Sequence, residues 1–310
     1  MSPRADELRA KFRELGIEHE FVWAWDFAIQ SRADLFASEV LLGQILERRA
    51  QGEPLAYIMG EWPFLGVSLA VAPGVLIPRP ETEELAEKMS RLVLASAELS
   101  QKTELTLLDL GAGSGALGIG VATELLKALP RTKVSLISVE RSADAVPTLR
   151  RNLESLQKNH PLRWRTELRH LSWNDLDLSC LEADLVLGNP PYISDEEWGV
   201  DVDKSVKSFE PRAALTPEAP TARQKSLAHD LSLSESELEL AALGPLLENL
   251  DIARRVLTPR GLVGIEIGPS QAALFESKMR KNLERHFELK LGLVEDLSAK
   301  PRFLIGCKNG

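Results

Sequence analysis

From about residue 105 onward, strand-like apolar runs alternate with helix-like segments, and this alternation constrains the fold more than any other feature. The run "LTLLDLG" (105–111) is apolar nearly throughout, which is typical of a strand buried on both faces. The other strand-like runs lie at 133–140, 164–172, 183–189, 261–268, 288–294 and 302–308. Repeated β–α units predict an α/β fold with a doubly wound, mostly parallel, seven-stranded sheet and helices on both faces.

The residues ahead of this alternation predict two smaller units. Helical periodicity predicts a small N-terminal helical domain over residues 1–52, which ends where Gly and Pro interrupt the pattern. Residues 53–80 form a linker. Within it, apolar residues alternate over 67–71, and Pro73-Gly74 offers a turn before the short apolar run 75–77, so we expect a β-hairpin there.

Residues 81–310 are predicted to form the main domain. The segment 216–247 differs from the rest of it in composition, because its start is rich in Pro and Ala. We interpret this segment as a tolerated surface insertion, with a lid over the site as the alternative.

Charge and cysteine content limit the classes of partner. The chain has 37 Lys and Arg against 46 Asp and Glu, a net charge of −9, which argues against wholesale binding to nucleic acid. The two cysteines, Cys180 and Cys307, form neither a metal motif nor a disulfide framework, and we expect both to be buried thiols. No metal is predicted. A charged N-terminus and the lack of a long apolar run predict a cytoplasmic protein without membrane association.

A glycine-rich loop follows the first strand of the main domain. It reads "DLGAGSG", and its candidate cofactor-binding residues are Asp109, Gly111, Ala112, Gly113, Ser114 and Gly115. Glycines at a strand-to-helix turn let backbone N–H groups approach a ligand. Glu140 closes the second strand, where a carboxylate can accept hydrogen bonds from ribose hydroxyls. The pattern suits both NAD(H) and S-adenosylmethionine, and Asp109 favours the cationic sulfonium compound slightly.

The second motif is "NPPY", residues 189–192, at the end of the fourth strand. Because the first and fourth strands flank the switch in strand order of a doubly wound sheet, we expect this motif and the glycine loop to face one pocket. An amide or amine nitrogen needs two fixed acceptors for its N–H bonds when it attacks a methyl group. Asn189 offers a side-chain oxygen and Pro190 a backbone carbonyl, while Pro191 stiffens the turn and Tyr192 offers a ring for stacking.

The glycine loop and the Asn-Pro-Pro-Tyr motif resemble those of Rossmann-like class I S-adenosylmethionine-dependent methyltransferases. That group includes adenine-N6 enzymes of DNA or RNA and glutamine-N5 enzymes of proteins. Three segments resemble the peptide chain release factor N5-glutamine methyltransferase family in particular: 48–85, 209–215 ("FEPRAAL") and 294–308.

This resemblance implies a reaction and a set of roles. The cofactor would be S-adenosylmethionine, and the substrate would be the Gly-Gly-Gln glutamine of class 1 peptide chain release factors, methylated on its side-chain amide nitrogen. The helical domain would bind the release factor, and we expect a monomer. Catalytic roles fall on Asn189, Pro190 and Tyr192, with Pro191 also contacting the substrate. Trp173 would pack on the adenine, and Asn189 would also border the cofactor.

Three departures from the family pattern leave alternatives open. Near Trp173 the chain reads "LSWND", so that Ser172 or Asp175 would have to serve the adenine, or neither does. The helical domain is short, and 216–247 matches no family feature. The alternatives are an adenine-N6 methyltransferase of DNA or RNA, a glutamine methyltransferase of a ribosomal protein, and a non-catalytic binding module that retains the fold.

Overall fold

Two sheets organise the chain, seen here in a computed structural model that describes residues 2–32, 34–159, 161–200 and 202–309. The strands are β1 Glu61–Phe64, β2 Val67–Ala70, β3 Glu104–Leu110, β4 Lys133–Glu140, β5 Trp164–His170, β6 Ala183–Gly188, β7 Leu257–Glu266, β8 Leu289–Glu295 and β9 Pro301–Lys308. Strands β3 to β9 form a seven-stranded sheet in the order β5-β4-β3-β6-β7-β9-β8, and β1 pairs with β2 alone.

The large sheet is mostly parallel, as predicted. Strands β5, β4, β3, β6 and β7 run in one direction. Strand β9 is antiparallel to β7, and β8 is antiparallel to β9. The strand order reverses between β3 and β6, which lie side by side. Ligands of open α/β sheets bind beyond the carboxyl ends of the strands at such a reversal.

Helices cover both faces of this sheet and form the N-terminal region. The α-helices are α1 Pro3–Glu14, α2 Phe21–Ser31, α3 Leu35–Ala50, α4 Leu55–Met59, α5 Pro80–Ala95, α6 Ala116–Ala128, α7 Val146–Asn159, α8 Asp195–Val200, α9 Lys204–Phe209, α10 Ala222–Asp230, α11 Glu235–Leu240, α12 Gly244–Val256, α13 Pro269–Leu274 and α14 Arg280–Phe287. A π-helical stretch, Phe275–Met279, joins the last two. Local signals set several starts: Asp34 caps α3 through the N–H of Ala37 at 2.8 Å, and Pro80 opens α5.

The core of the main domain has two layers, one on each face of the sheet. On one face, α5, α6 and α7 bury residues such as Met89, Ile119 and Leu149 against the strands. On the other face, α10 to α14 bury residues such as Leu247 and Phe287. Both layers are apolar and fully enclosed, so burial of these side chains is the main source of the stability of the sheet.

The N-terminal helices have a core of their own, built from Phe12, Phe21, Leu42 and Ile45 among others. Arg49, near the end of α3, pairs with Glu20 at 2.6 Å, and this ion pair links α3 to the turn that precedes α2. The helical character predicted for residues 1–52 is therefore present. The boundaries 1–52, 53–80 and 81–310 stay a prediction.

The hairpin lies earlier than the sequence predicted. Its two strands, β1 and β2, are joined by Leu65 and Gly66, both with positive φ (46° and 77°). A two-residue hairpin loop of this twist requires positive φ at both positions, which proline cannot adopt. Pro73-Gly74 does form a turn, closed by the N–H of Val75 on the carbonyl of Ala72, but no strand follows it. The expected strand at 75–77 was wrong.

Two other expectations fail because burial depends on distant contacts. The segment 216–247 is not a surface insertion: Leu231, Leu238 and Leu243 are buried in the core layer beneath α12. The cysteines are not buried thiols either, since Cys180 is exposed and Cys307 is partly exposed. Apolar neighbours in sequence alternate between the two faces of a strand or loop and therefore do not guarantee burial.

Candidate functional site

The glycine loop and the Asn-Pro-Pro-Tyr motif lie side by side at the carboxyl edge of the sheet. Leu110, the last residue of β3, pairs with Gly188, the last residue of β6. The loop 111–115 and Asn189 therefore leave from adjacent strands, which are about 4.8 Å apart in any sheet. Both border one cavity, together with Glu140 and Trp173. Of the two motifs predicted to share a pocket, residues 111–114, Asn189 and Pro191 line this cavity, whereas Gly115, Pro190 and Tyr192 are not among the described residues that do.

The glycine loop has the backbone that only glycine adopts readily. Gly111, Gly113 and Gly115 have φ of 72°, 56° and 85°. A Cβ on Gly111 would come within 2.9 Å of the Trp173 ring, whereas a Cβ on Gly113 would meet nothing within 4 Å. The loop is thus closely packed on one side and open beside the cavity. An open cradle of backbone at the start of α6 suits a ligand with polar groups.

Glu140 links the loop to the second strand. Its carboxylate accepts hydrogen bonds from the N–H of Gly113 at 2.8 Å and of Ser142 at 2.7 Å, and the side chain is 7% exposed. A carboxylate has about four acceptor positions, so two remain for hydroxyl groups in the cavity. Glu140 can therefore bind ribose hydroxyls and at the same time hold the glycine loop in shape.

Asp109 lies beneath the loop and is almost fully buried, with 1% exposed. It accepts a hydrogen bond from the N–H of Gly118 at 3.1 Å, and this ties the end of β3 to the first turn of α6. Burial raises the pKa of Asp109 from 3.8 to about 7, a rise that the Gly118 N–H opposes and that the charge of Glu140 adds to. Asp109 thus orients the first turn of α6, which follows the loop, and a contact of Asp109 with the cofactor stays a prediction.

This raised pKa makes a prediction about stability. Because the pKa of Asp109 is higher in the folded protein, its contribution to stability is present at low pH and is lost as pH rises from 3.8 through about 7. Asp109→Asn stays neutral and keeps an acceptor for Gly118. We expect the variant to be more stable than the wild type at pH 8, by about 4 kcal/mol, and the difference to shrink towards pH 4. Urea unfolding at both pH values measures it, and an equal difference at both would contradict this account.

Trp173 forms the aromatic wall of the cavity, next to Gly111. Its indole N–H donates to Glu248 at 3.0 Å, and Asn174 donates to the same carboxylate at 2.9 Å. Glu248 lies on α12 and is 1% exposed. It fixes the ring in a position where a flat base could stack. Of the two residues considered for the adenine, Ser172 lines the cavity, and Asp175 is not among the described residues that do.

Asn189 lines the cavity from the end of β6, beside the glycine loop. Its Nδ2 donates to Glu266 Oε2 at 3.0 Å and contacts Thr82 Oγ1 at 3.3 Å. With the nitrogen so engaged, the side-chain oxygen is the polar atom of Asn189 that remains for a ligand, and Asn189 lines the cavity. Pro191 also lines the cavity, whereas Pro190 is buried. The motif therefore brings Asn189 and Pro191 to the cavity, and the acceptor role of Asn189 stays a prediction.

Tyr192 lies half-buried behind Asn189 and is not among the described residues that line the cavity. Its hydroxyl donates to Glu266 Oε1 at 3.1 Å, and its ring packs against Gly268. Burial raises the pKa of Tyr192, and the neighbouring Glu266 carboxylate raises it further. The hydroxyl thus stays protonated and anchors the ring. Stacking of this ring on a substrate stays a prediction.

The anchoring bond gives a second prediction. Tyr192→Phe removes one hydrogen bond but keeps the ring, so we expect kcat to fall only about fivefold, the equivalent of ~1 kcal/mol. Tyr192→Ala also removes the ring and should lower kcat further. Steady-state kinetics of both variants at saturating cofactor make the comparison. Complete loss of activity in Tyr192→Phe would show that the hydroxyl takes part in the reaction itself.

The segment 216–247 also contributes to the site. Pro217, Ala219 and Gln224 line the cavity. Glu218 pairs with Arg141 at 3.1 Å, and this ion pair links the segment to the residue that follows Glu140. The segment is therefore a wall of the cavity. A lid, the alternative interpretation, agrees better with this position than a surface insertion does.

Two further features, a metal-binding group of side chains and a membrane-spanning helix, are absent from the described residues. Across 2–32, 34–159, 161–200 and 202–309, no three or more His, Cys, Asp or Glu side chains are grouped so that they could hold a metal ion. The same residues include no helix that is both long enough and apolar enough to span a bilayer.

The large sheet ends in antiparallel strands, and its glycine loop lies beside an Asn-Pro-Pro-Tyr turn at one cavity. Together these features define a class I S-adenosylmethionine-dependent methyltransferase. The chain belongs, more narrowly, to the release factor glutamine methyltransferase family. Curated members of that family match most of it: the protein from Nitratidesulfovibrio vulgaris is 32% identical over 87% of this chain and 78% of its own length. The protein from Pasteurella multocida is 32% identical over 86% and 79%.

The chain is also similar to a human relative, to a family model and to solved structures. The human MTRF1L release factor glutamine methyltransferase is 29% identical over 84% of this chain and 69% of its own. A family model described as conserved hypothetical protein 95 matches residues 68–241. Among solved structures, the N-terminal domain of human METTL16 in complex with SAH aligns with 79% of this chain and 76% of that chain, at 13% identity and a TM-score of 0.45.

Proposed function

We propose that this protein transfers the methyl group of S-adenosylmethionine to the side-chain amide nitrogen, N5, of the glutamine in the Gly-Gly-Gln motif of class 1 peptide chain release factors. Membership of the family supports the substrate class. The observation that carries the reaction type is the orientation of Asn189. Glu266 and Thr82 hold its amide nitrogen, so its oxygen is available to an N–H group in the cavity.

The residues present fit the cofactor. Glu140 keeps two acceptor positions for ribose hydroxyls, Trp173 offers a fixed aromatic wall for the adenine, and Gly113 leaves an open backbone edge beside them. When bound, S-adenosylmethionine supplies an electrophilic methyl group on a sulfonium. Glu140 and the loop would hold the nucleoside end, and Asn189 would border the reactive end.

The chain activates the acceptor nitrogen by orientation. A carboxamide nitrogen is a weak nucleophile because its lone pair is delocalised into the carbonyl. Asn189 Oδ1 and the carbonyl of Pro190 would accept its two N–H bonds, which favours a pyramidal nitrogen with its lone pair directed at the methyl group. The paired prolines make this turn rigid, so both acceptors are in place before the substrate binds. As the new N–C bond forms, the C–S bond of the donor would break and leave a neutral thioether. The methylated nitrogen, now cationic and strongly acidic, would then lose one N–H proton to water, so no strong base is required.

We also propose that the protein acts as a cytoplasmic monomer on a protein substrate. The net charge of −9 disfavours a nucleic-acid substrate, because that binding depends on Lys and Arg at the phosphates. The N-terminal helices, with their separate core, are the part of the chain we propose binds the release factor.

The test is a comparison of substrates. Purified protein and labelled S-adenosylmethionine are incubated with a class 1 release factor, with total ribosomal protein, and with DNA and RNA. We expect label in the release factor, and none in a release factor whose Gly-Gly-Gln glutamine is replaced by alanine. Label in nucleic acid alone would support the adenine-N6 alternative, and label in a ribosomal protein alone would support the other glutamine substrate.

A further inference from the structure

One buried carboxylate connects both polar side chains of the Asn-Pro-Pro-Tyr motif. Glu266, the last residue of β7, is 1% exposed. Its Oε1 accepts from the Tyr192 hydroxyl at 3.1 Å. Its Oε2 accepts from the Thr82 hydroxyl at 2.7 Å and from Asn189 Nδ2 at 3.0 Å. Three donors from two separate chain segments, the first turn of α5 and the Asn-Pro-Pro-Tyr motif, therefore meet on one side chain.

This arrangement matters because an asparagine side chain can face two ways. The amide has an oxygen that only accepts and a nitrogen that only donates, on a nearly symmetrical group. An ionised carboxylate accepts hydrogen bonds and donates none. Beside Glu266, only the orientation with the Asn189 nitrogen inward forms a hydrogen bond. The opposite orientation would bring two acceptor oxygens together in a buried site, at a substantial cost.

We propose that Glu266 is a positioning residue for methyl transfer, which holds the Asn189 oxygen towards the substrate and anchors the Tyr192 ring behind it. This inference rests on the function proposed above, because it concerns the acceptor for the substrate N–H. Thr82 shares the task from the first turn of α5 and itself borders the cavity. Glu266 is not among the described residues that line the cavity, so it acts through Asn189 and Tyr192.

The surroundings of Glu266 explain why so many donors converge on it. Burial raises the pKa of the Glu266 carboxyl, and the charge of Glu81 raises it further. Hydrogen bonds from Thr82 and Tyr192, together with the charge of Arg302, lower it. A buried carboxylate with no donors would be costly, whereas three hydrogen bonds supply much of the stabilisation that water would give.

Two replacements of Glu266 by side chains of similar volume distinguish a positioning role of this residue from a packing role. Glu266→Met fills the space but offers no acceptor, so Asn189 loses its fixed orientation, and we expect kcat to fall about 100-fold. Glu266→Gln keeps one acceptor, which can face Asn189 while its nitrogen faces the Tyr192 oxygen. We expect this conservative variant to keep kcat within about tenfold of wild type. The Kd for S-adenosylmethionine should change less than about threefold in both, since Glu266 does not line the cavity.

A third variant tests the positioning role of Glu266 even if Glu266→Met fails to fold. Combining Asn189→Asp with Glu266→Gln exchanges the amide and the carboxylate, which preserves the hydrogen bond between the two positions with its direction reversed. The new carboxylate at position 189 still turns an oxygen to the cavity. We expect this double variant to fold and to have a kcat at least about tenfold above that of Asn189→Asp alone, in which two carboxylates would face each other without a donor between them.

The measurements are kcat and KM for the release factor at saturating cofactor, calorimetric Kd for S-adenosylmethionine, and thermal melting of each variant. Wild-type kcat in Glu266→Met, or equal losses in the Met and Gln variants, would overturn the positioning role. So would a double variant that folds and binds the cofactor but is no more active than Asn189→Asp alone. Wild-type protein on the same release factor is the reference. Its inactivity would reject the proposed function, whereas an active wild type beside unaffected variants would reject only the role of Glu266.

Discussion

Asn189→Ala should lower kcat for release factor methylation by about 1000-fold or more and leave the Kd for S-adenosylmethionine nearly unchanged. The substitution removes the oxygen that we propose accepts one N–H of the substrate amide. It leaves intact the glycine loop, Glu140 and Trp173, which we propose bind the cofactor. Without that acceptor the amide nitrogen stays planar, and its lone pair is not available to the methyl group. Steady-state kinetics at saturating cofactor and calorimetry measure the two effects separately.

Asn174 provides the matched control. It also lines the cavity, but its Nδ2 donates to Glu248 beside the aromatic wall and not to Glu266. Asn174→Ala should therefore affect the affinity for the cofactor and keep kcat at saturation within about threefold of wild type. If Asn189→Ala keeps full activity, or if both variants lose kcat equally, the acceptor role of Asn189 is wrong.

Glu140→Ala should have the opposite effects, a large loss of affinity for S-adenosylmethionine and only a small loss of kcat. It removes two acceptor positions for the ribose and also the partners of the Gly113 and Ser142 N–H groups. Two hydrogen bonds to a charged group are worth about 3 kcal/mol together, so the Kd for S-adenosylmethionine should rise roughly 100-fold or more. At saturating cofactor, kcat should fall far less, because Asn189 and Pro190 are untouched. Calorimetric titration of the variant is the direct measurement.

Glu167→Ala is the control for this change. Glu167 lies on β5, the strand next to Glu140, and is exposed away from the cavity. Its removal takes away the same charge without touching the loop, and we expect the Kd to stay within about twofold of wild type. An unchanged Kd in Glu140→Ala, or an equal rise in both variants, would show that the ribose contact is assigned to the wrong residue.

The features of this molecule that could be predicted are those that depend on local sequence patterns. The strand runs and the helices between them specify a doubly wound sheet, because a buried parallel strand must be apolar on both faces. Topology then places the ends of β3 and β6 together, which is why Gly111 and Asn189 could be assigned to one pocket from sequence. The site roles of Pro190, Pro191 and Tyr192 stay predictions that the variants above address.

The parts that could not be predicted depend on side chains that meet across long separations. Glu266 ends its strand in "GLVGIEIG", and the same rule about strand ends could have singled it out, since β7 lies next to β6. Its partners Thr82 and Asn189 carry no local signal for that contact. Glu248 accepts the hydrogen bond of the Trp173 indole, but in the sequence it is one polar residue in the amphipathic pattern of α12, which does not indicate this contact. The segment 216–247 has a polar, Pro-rich start typical of surface loops, yet its leucines complete the core.

The central claim is that an amide nitrogen, held by the turn after β6, receives a methyl group in the cavity beside the glycine loop. Mass spectrometry of a class 1 release factor, after reaction with this protein and isotopically labelled S-adenosylmethionine, tests it most directly. The account predicts one labelled methyl group on the side-chain nitrogen of the Gly-Gly-Gln glutamine, absent with the Asn189→Ala variant. A methyl group on any other atom of the release factor, or no methyl group at all, would contradict it.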